Sequence, residues 1–271
     1  MEILVCVKQV PDTAEVKIDP VKHTVIRAGV PNIFNPFDQN ALEAALALKD
    51  ADKDVKITLL SMGPDQAKDV LREGLAMGAD DAYLLSDRKL GGSDTLATGY
   101  ALAQAIKKLA ADKGIEQFDI ILCGKQAIDG DTAQVGPQIA EKLGLPQITY
   151  AADIKVEGRE VTVKRMLEDG YMTIKTETPC LITAIKELNT PRYMSVGGIF
   201  ETYSKPMSVF DFNTLKDDPL IELDTIGLKG SPTNIFASFT PPQKGQGEML
   251  EGADQKTVDV LVDKLLAKHI I

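Results

Sequence analysis

Hydrophobic positions in the first half of the chain follow two alternating patterns. The apolar runs ILVCVKQV (3–10), VKITLLSMG (55–63), AYLLS (82–86) and FDIILCG (118–124) read as buried strands. Between them lie segments of helical period. These are FDQNALEAALALKD (37–50), PDQAKDVLREGLAMG (64–78), DTLATGYALAQAIKKLAADKG (94–114) and PQIAEKLGL, which follows Gly136. Pro64 opens the second of these helices and Gly78 closes it. In the third, Leu96, Tyr100, Ala103, Ile106 and Leu109 share a face, and Gly114 ends it. Strands alternating with helices predict an α/β fold, a parallel sheet with helices on both faces. Sheets of this kind bind ligands at the carboxyl ends of their strands.

After about residue 150 the rhythm changes. DIKVEGREVTVKRML (153–167) reads as two strands around the turn Glu157-Gly158-Arg159, and YMTIKTETPCLITAI (171–185) adds extended segments, predicting an antiparallel extension. From about 190 to 252 there is no period and much Pro, Gly and Ser, too long for an ordinary internal loop. DQKTVDVLVDKLLAKHII (254–271) closes the sequence as an amphipathic helix with Val258, Val260, Leu261, Leu265 and Leu266 on one side. The predicted organisation is a nucleotide-binding α/β domain with its antiparallel extension (1–190), a docking loop and linker (191–230), and a C-terminal arm and helix (231–271). The arm is suited to a partner subunit or to its own domain.

Composition narrows the function classes. The 271 residues carry a net charge of -10, which disfavours broad binding to nucleic acid or to an anionic membrane. No apolar run reaches the length of a membrane span, and MEILVCVKQV enters a strand with no basic leader, so a cytoplasmic location is expected. Cys6, Cys123 and Cys180 are scattered in or beside apolar runs, as expected for reduced thiols. With only His23 and His269 besides, no metal site is expected.

The candidate chemistry sits in loops at strand ends. FDIILC empties into GKQAIDGDTAQVG (124–136), immediately before a helix. A strand-end loop and a helix N-terminus offer backbone N–H groups to a phosphate. Thr132 and Gln134 add donors, and Gly130 and Gly136 permit close backbone approach. Asp129 and Asp131 argue against an anion site built on charge; they suit a helix cap or a ribose hydroxyl. NPFDQNALE (35–43) and SMGPDQ (61–66) end two other strands. In GGSDTLATG (91–99), Ser93 and Asp94 suit a helix cap, while Ser93, Thr95 and Thr98 also present hydroxyls at a helix start. Any one loop is accounted for by a glycine turn and a capped helix; several on one sheet edge point to an adenine nucleotide. Neither GxGxxG nor GxxxxGK[ST] is present.

NPFDQNALEAA, SMGPDQA, LAMGAD, GKQAIDGDTAQVGPQIAEKLGLPQ and LNTPRYMSVGGI occur in this order. Together they resemble the β subunit of electron transfer flavoprotein over essentially the whole chain. The resemblance implies an adenine nucleotide α-hydrolase-like sheet and a heterodimer with a homologous α subunit that carries a redox FAD. It also implies a nucleotide held by Cys6, Asn35, Pro36, Phe37, Asp38, Met62 and the loop Gly124, Lys125, Gln126, Ala127, Ile128, Asp129, Gly130, Asp131, Thr132, Ala133, Gln134, Val135 and Gly136.

Ordinary family members hold AMP there. Bifurcating members hold a second FAD; hydride comes from NADH, one electron leaves to ferredoxin or flavodoxin, and the other goes to the α-subunit FAD. GGSDTLATGYALA resembles this anaerobic, bifurcating branch, which implies that Ser93, Asp94, Thr95 and Thr98 lie along the extra flavin. Arg165 matches a family arginine near the α-subunit flavin, where a guanidinium would stabilise negative charge. Pro191, Arg192, Tyr193 and Val196 match the loop that docks on acyl-CoA dehydrogenases, often with leucine where Val196 stands. A second class, nucleotide-binding stress proteins and adenylating enzymes, shares the sheet and the nucleotide; it leaves the C-terminal arm without a purpose.

Overall fold

The computed structural model describes residues 1–12, 31–217, 223–233, 245 and 247–271. His23, and residues 218–222, 234–244 and 246 of the predicted linker and arm, lie outside these residues.

The apolar runs form strands, and their continuous hydrophobicity follows from burial on both faces. In chain order come β1 (Glu2–Cys6), β2 (Gln9–Pro11), β3 (Asn32–Phe34), α1 (Pro36–Ala51), β4 (Lys56–Met62), α2 (Lys68–Met77), β5 (Asp81–Leu85), α3 (Thr95–Lys113), β6 (Ile120–Gly124) and α4 (Val135–Leu143). Then follow β7 (Gln147–Glu157), β8 (Glu160–Met166), β9 (Tyr171–Glu177), β10 (Cys180–Ala184), α5 (Val196–Glu201), β11 (Met207–Phe210), α6 (Phe212–Leu215) and α7 (Gln255–Ala267). The nine-stranded sheet has the order β11-β5-β4-β1-β6-β10-β7-β8-β9. It is parallel from β11 to β7, while β7, β8 and β9 form an antiparallel meander.

Two cores cover the two faces of the sheet. One packs Ile3, Val5, Ile57, Leu59 and Ile120 against Leu42 and Ala45 of α1 and Leu71 and Leu75 of α2. The other packs Leu4, Leu60 and Ile121 against Leu102, Ile106 and Leu109 of α3 and Ile139 of α4. Chain order runs outward from β1 through β4 to β5, then returns to β6 on the other side of β1. The edge between β1 and β6 is therefore a topological switch point, where helices on opposite faces leave a crevice.

The run read as one strand over 3–10 divides into β1, in the main sheet, and β2, which pairs antiparallel with β3 in a separate two-stranded sheet. Three further local differences from the sequence pattern have physical reasons. β10 lies within 171–185, yet it runs parallel, inserted between β6 and β7. All five of its residues are buried, so it belongs to the central sheet rather than to the meander. β11 arises where no period is visible; it has four residues and pairs with β5 at the sheet edge. Leu96 is exposed, and α3 instead buries Leu102 alongside Ile106 and Leu109.

By internal contacts the chain forms two units, Met1–Lys17 with Val25–Ile235, and Ile18–Thr24 with Phe236–Ile271. In the second, Asp254 caps α7 by accepting from Thr257 N, and no residue of α7 is buried. Among the described residues no helix is long and apolar enough to cross a membrane.

Candidate functional site

A cavity of about 780 Å³ opens at the carboxyl ends of β1, β4, β5 and β6, lined by Cys6, Met62, Leu85 and Gly124 together with the loops that follow them. Its floor is tied by Asp38. This buried side chain accepts from Lys8 N at 2.8 Å and from Gly124 N at 3.0 Å, joining the ends of β1 and β6 across the switch point. Burial pushes the Asp38 carboxyl up to about 7, against the lowering effect of its hydrogen bonds to Asn35, Lys8 and Gly124 and of the Lys8 charge. Asn35, also buried, donates to Gln126 O at 2.9 Å and accepts from Ile128 N at 3.3 Å. Lys8 Nζ pairs with Asp129 at 2.6 Å. The loop after β6 is thus latched to the start of α1.

Gly124 is required by this latch. A Cβ there would lie 2.3 Å from Asp38 Oδ1 and 2.7 Å from Phe37 Cβ, whereas a Cβ at Gly130 meets nothing within 4 Å. Gly124→Ala is therefore expected to destabilise the fold by about 1–3 kcal/mol, and Gly130→Ala by less than about 0.5 kcal/mol. Urea unfolding of the nucleotide-free proteins measures both; equal losses would refute the assignment. A Cβ at Gly136 would lie 2.7 Å from Thr183 Cγ2, so the missing side chain lets α4 pack onto β10, while the residue itself lines the cavity.

The helix that follows supplies donors. Ala133 takes a positive φ of 55°, and Gln134 has φ -109° and ψ -24°. A left-handed residue followed by a right-handed one turns successive N–H groups into one concavity, an anion nest. Gln134, at the N-cap of α4, makes no side-chain cap. The first amides, those of Val135 and Gly136, remain for a ligand; Pro137 has no N–H to offer. Thr95 at the start of α3 donates to Gln134 Oε1 at 3.1 Å, so two helix N-termini meet at the cavity.

Of the residues singled out in the sequence, Cys6, Asn35, Asp38, Met62, Ser93, Asp94, Thr95, Thr98, Gly124, Lys125, Gln126, Ala127, Gly130, Thr132, Ala133, Gln134, Val135 and Gly136 line the cavity. Pro36, Phe37, Ile128, Asp129 and Asp131 do not line it. Asp129 is spent on Lys8, with only 5% of its side chain exposed, and Asp131 is exposed. The charge of Asp129 is thereby paired, and Asp131 stays outside the lining. Sequence reasoning missed Lys8, Gln66, Ser86, Asp87 and Arg88, all of which line the cavity. Their signal was available, because each follows a strand whose end faces the same edge.

Cys6 and Cys123 are cross-strand partners in the β1–β6 register. A hydrogen bond with the Cys6 thiol, together with burial, holds the Cys123 thiol well above the usual range. Asp94 caps α3 through Ala97 N at 3.0 Å and also accepts from Thr233 N at 3.0 Å. Burial works to raise its carboxyl, and the backbone donors outweigh this, so it is lowered.

Arg165 lies on β8, its guanidinium 5.9 Å from the Tyr150 ring. Lys125 Nζ lies 5.3 Å from the same ring. Arg165 Nε is buried and has no partner among the described residues. Tyr150 itself has a positive φ of 58° and donates its N–H to Thr183 Oγ1 at 3.1 Å. In the segment after Pro191, Arg192 turns inward: it grips Glu43 through two bonds of 2.9 Å and Asp50 at 2.8 Å. Tyr193, Val196 and Phe200 project outward, 97%, 74% and 73% exposed.

Comparison with known proteins agrees with this geometry. Residues 22–215 match the electron transfer flavoprotein domain. The chain is 72% identical over its whole length to electron transfer flavoprotein subunit beta of Megasphaera elsdenii, and 60% identical to acryloyl-CoA reductase electron transfer subunit gamma of Anaerotignum propionicum. It is 53% identical to subunit CarD of the caffeyl-CoA reductase-Etf complex of Acetobacterium woodii, and in all three cases the alignment covers the whole of both chains. An α/β sheet with its cavity at the switch point, matched along its full length by such relatives, belongs to the electron transfer flavoprotein family, as a chain of the β-subunit type.

Proposed function

We propose that this chain holds an FAD in the switch-point cavity and works in a bifurcating electron transfer flavoprotein, in the cytoplasm, with an α subunit that carries a second FAD. The observation that carries this reading is a cavity of about 780 Å³ that joins the α4 nest to the start of α3. It falls in the upper part of the range for ligand pockets, roughly 300–1,000 Å³, and AMP has fewer than half the atoms of FAD. The donor set also fits a dinucleotide. The Val135 and Gly136 amides would hold the diphosphate, and Thr98, which lines the same cavity, offers a hydroxyl to the rest of the ligand. Lys8 and Asp38 keep the floor in place.

FAD in this position supplies hydride acceptance from NADH and release of electrons singly, one toward ferredoxin or flavodoxin and one toward the α-subunit FAD. The chain's part is to bind, orient and leave one face of the ring open; no side-chain acid or base is required. Two relatives named for an acryloyl-CoA reductase and a caffeyl-CoA reductase-Etf complex support a CoA-ester partner of the acyl-CoA dehydrogenase type. In the alternative reading the cavity holds AMP and the protein is an ordinary electron carrier. Counting FAD and AMP in the complex purified with its α subunit separates them: two FAD per heterodimer supports bifurcation, and one FAD with one AMP rejects it.

Tyr193, Val196 and Phe200 form an apolar surface suited to a partner. Val196→Asp is expected to slow electron delivery to the dehydrogenase about ten-fold or more, since an apolar anchor would then have to desolvate a carboxylate. NADH should still reduce the bound flavin at the normal rate. Unchanged turnover with the dehydrogenase would remove this surface from the docking site.

A further inference from the structure

The loop carrying Ser93 and Asp94 has two sides. One lines the cavity. The other is bound by residues 226–233, a segment far downstream whose fold nothing in the sequence pattern predicts. Gly227 N donates to Ser93 Oγ at 3.1 Å, and Leu228 N donates to Gly91 O at 3.1 Å. Asp94 N donates to Ser231 Oγ at 2.8 Å, across 137 positions of sequence. Ser231, only 6% exposed, donates in turn to Gly227 O at 2.7 Å. Thr233 N closes the set by donating to Asp94 Oδ2 at 3.0 Å. The fit is close: a Cβ on Gly227 would lie 2.1 Å from Lys89 O, and one on Gly92 3.1 Å from Leu228 Cβ.

These bonds bear on the cavity through α3. Asp94 is the N-cap of that helix and holds its first turn through Ala97 N. The next residue, Thr95, donates to Gln134 Oε1 at the uncapped start of α4, where the anion nest lies. Displacing Ser231 moves the acceptor of Asp94 N, then the cap, then the Thr95–Gln134 contact. A buried serine placed here is therefore connected, through Asp94 and Thr95, to the start of α4.

We propose that Ser231 and Thr233 are positioning residues of the nucleotide site, forming with Gly227 a clasp that fixes the start of α3 against the start of α4. This rests on the nucleotide reading of the cavity. Because coupling between two sites is reciprocal, ligand in the cavity tightens the clasp, and loss of the clasp weakens the ligand.

The test uses the full-length protein stripped of nucleotide, titrated with AMP and with FAD, and followed by amide hydrogen exchange. Ligand is expected to slow exchange at Gly227, Leu228 and Thr233 in the unaltered protein. Ser231→Ala is expected to weaken binding by about five-fold or more. Val163→Ala, in the core on β8 and away from the loop, serves as the control; it lowers the unfolding midpoint without changing affinity. Unchanged affinity in Ser231→Ala, or unchanged exchange on adding ligand, overturns the clasp while leaving the nucleotide site standing. Failure of the unaltered protein to bind either AMP or FAD overturns the nucleotide reading itself.

Discussion

Replacing Gln134 by Asp is expected to abolish nucleotide retention while leaving the nucleotide-free fold as stable as before, or about 1 kcal/mol more stable. The two effects have opposite signs because one group of atoms serves both. Gln134 occupies the N-cap of α4 and makes no side-chain cap, so the first amides of the helix have no capping side chain among the described residues. Aspartate is a favoured cap residue; its carboxylate reaches back to Gly136 N–H, the third position being proline, and complements the helix dipole. That same carboxylate then sits where a phosphate would. Two unit negative charges about 4 Å apart near a protein surface repel by about 4 kcal/mol, which corresponds to a loss of affinity of roughly a thousand-fold. The lost Thr95–Gln134 hydrogen bond is on exposed side chains and costs little fold stability, while its loss also loosens the start of α3 from the start of α4 and so adds to the loss of affinity. Absorbance of the purified protein reports bound nucleotide, and urea unfolding of stripped samples reports stability, which removes the contribution of ligand to the apparent midpoint. If the variant keeps its nucleotide, the nest is not the phosphate site.

Most elements of the first 145 residues were legible because their apolar residues keep a strict period and their ends carry marked residues. The exceptions are the run 3–10, which divides into β1 and β2, and the three-residue β3, too short to show a period. Asp94 and Gly114 bound α3 as a cap and a left-handed terminus, in agreement with the spacing. What a period does not encode is which strand lies beside which. The alternation in 171–185 marked strands correctly, yet β10 crosses into the parallel sheet while β9 stays in the meander. β11 escaped notice for a different reason: four residues with two exposed leave no pattern to detect.

In the site the residues offering backbone were found more readily than those that hold it. Glycines and hydroxyls in 124–136 announce themselves, but Asp38 reads as an ordinary first-turn acid until its two backbone partners are seen to come from separate strands. Gly136, read as permitting close backbone approach, lines the cavity, and what the sequence did not reveal is that its missing side chain also makes room for Thr183. Arg192, placed with the docking loop by resemblance, is turned inward by Glu43 and Asp50, two acids of α1 whose meeting with it no local spacing reveals.

Removing residues 236–271 is expected to leave a folded α/β unit that no longer co-purifies with its α subunit. The folding half follows from where the cores lie. Among the described residues neither core reaches beyond Ile226, so the truncation removes no described residue of either core. The clasp ends at Thr233 and also survives. The binding half follows from α7. This helix has 13 residues, about the length at which an isolated helix is marginal in water, and it buries none of them. Val258, Val260, Leu261, Val262 and Leu266 are all 38% exposed or more. Covering them on a partner, at about 1 kcal/mol for each half-exposed side chain, supplies roughly 5 kcal/mol before the costs of association. The truncated chain should show an unchanged unfolding midpoint by circular dichroism and elute alone on size exclusion after co-expression with α. Elution as a heterodimer would assign the α-subunit interface to the α/β unit and leave α7 without this role.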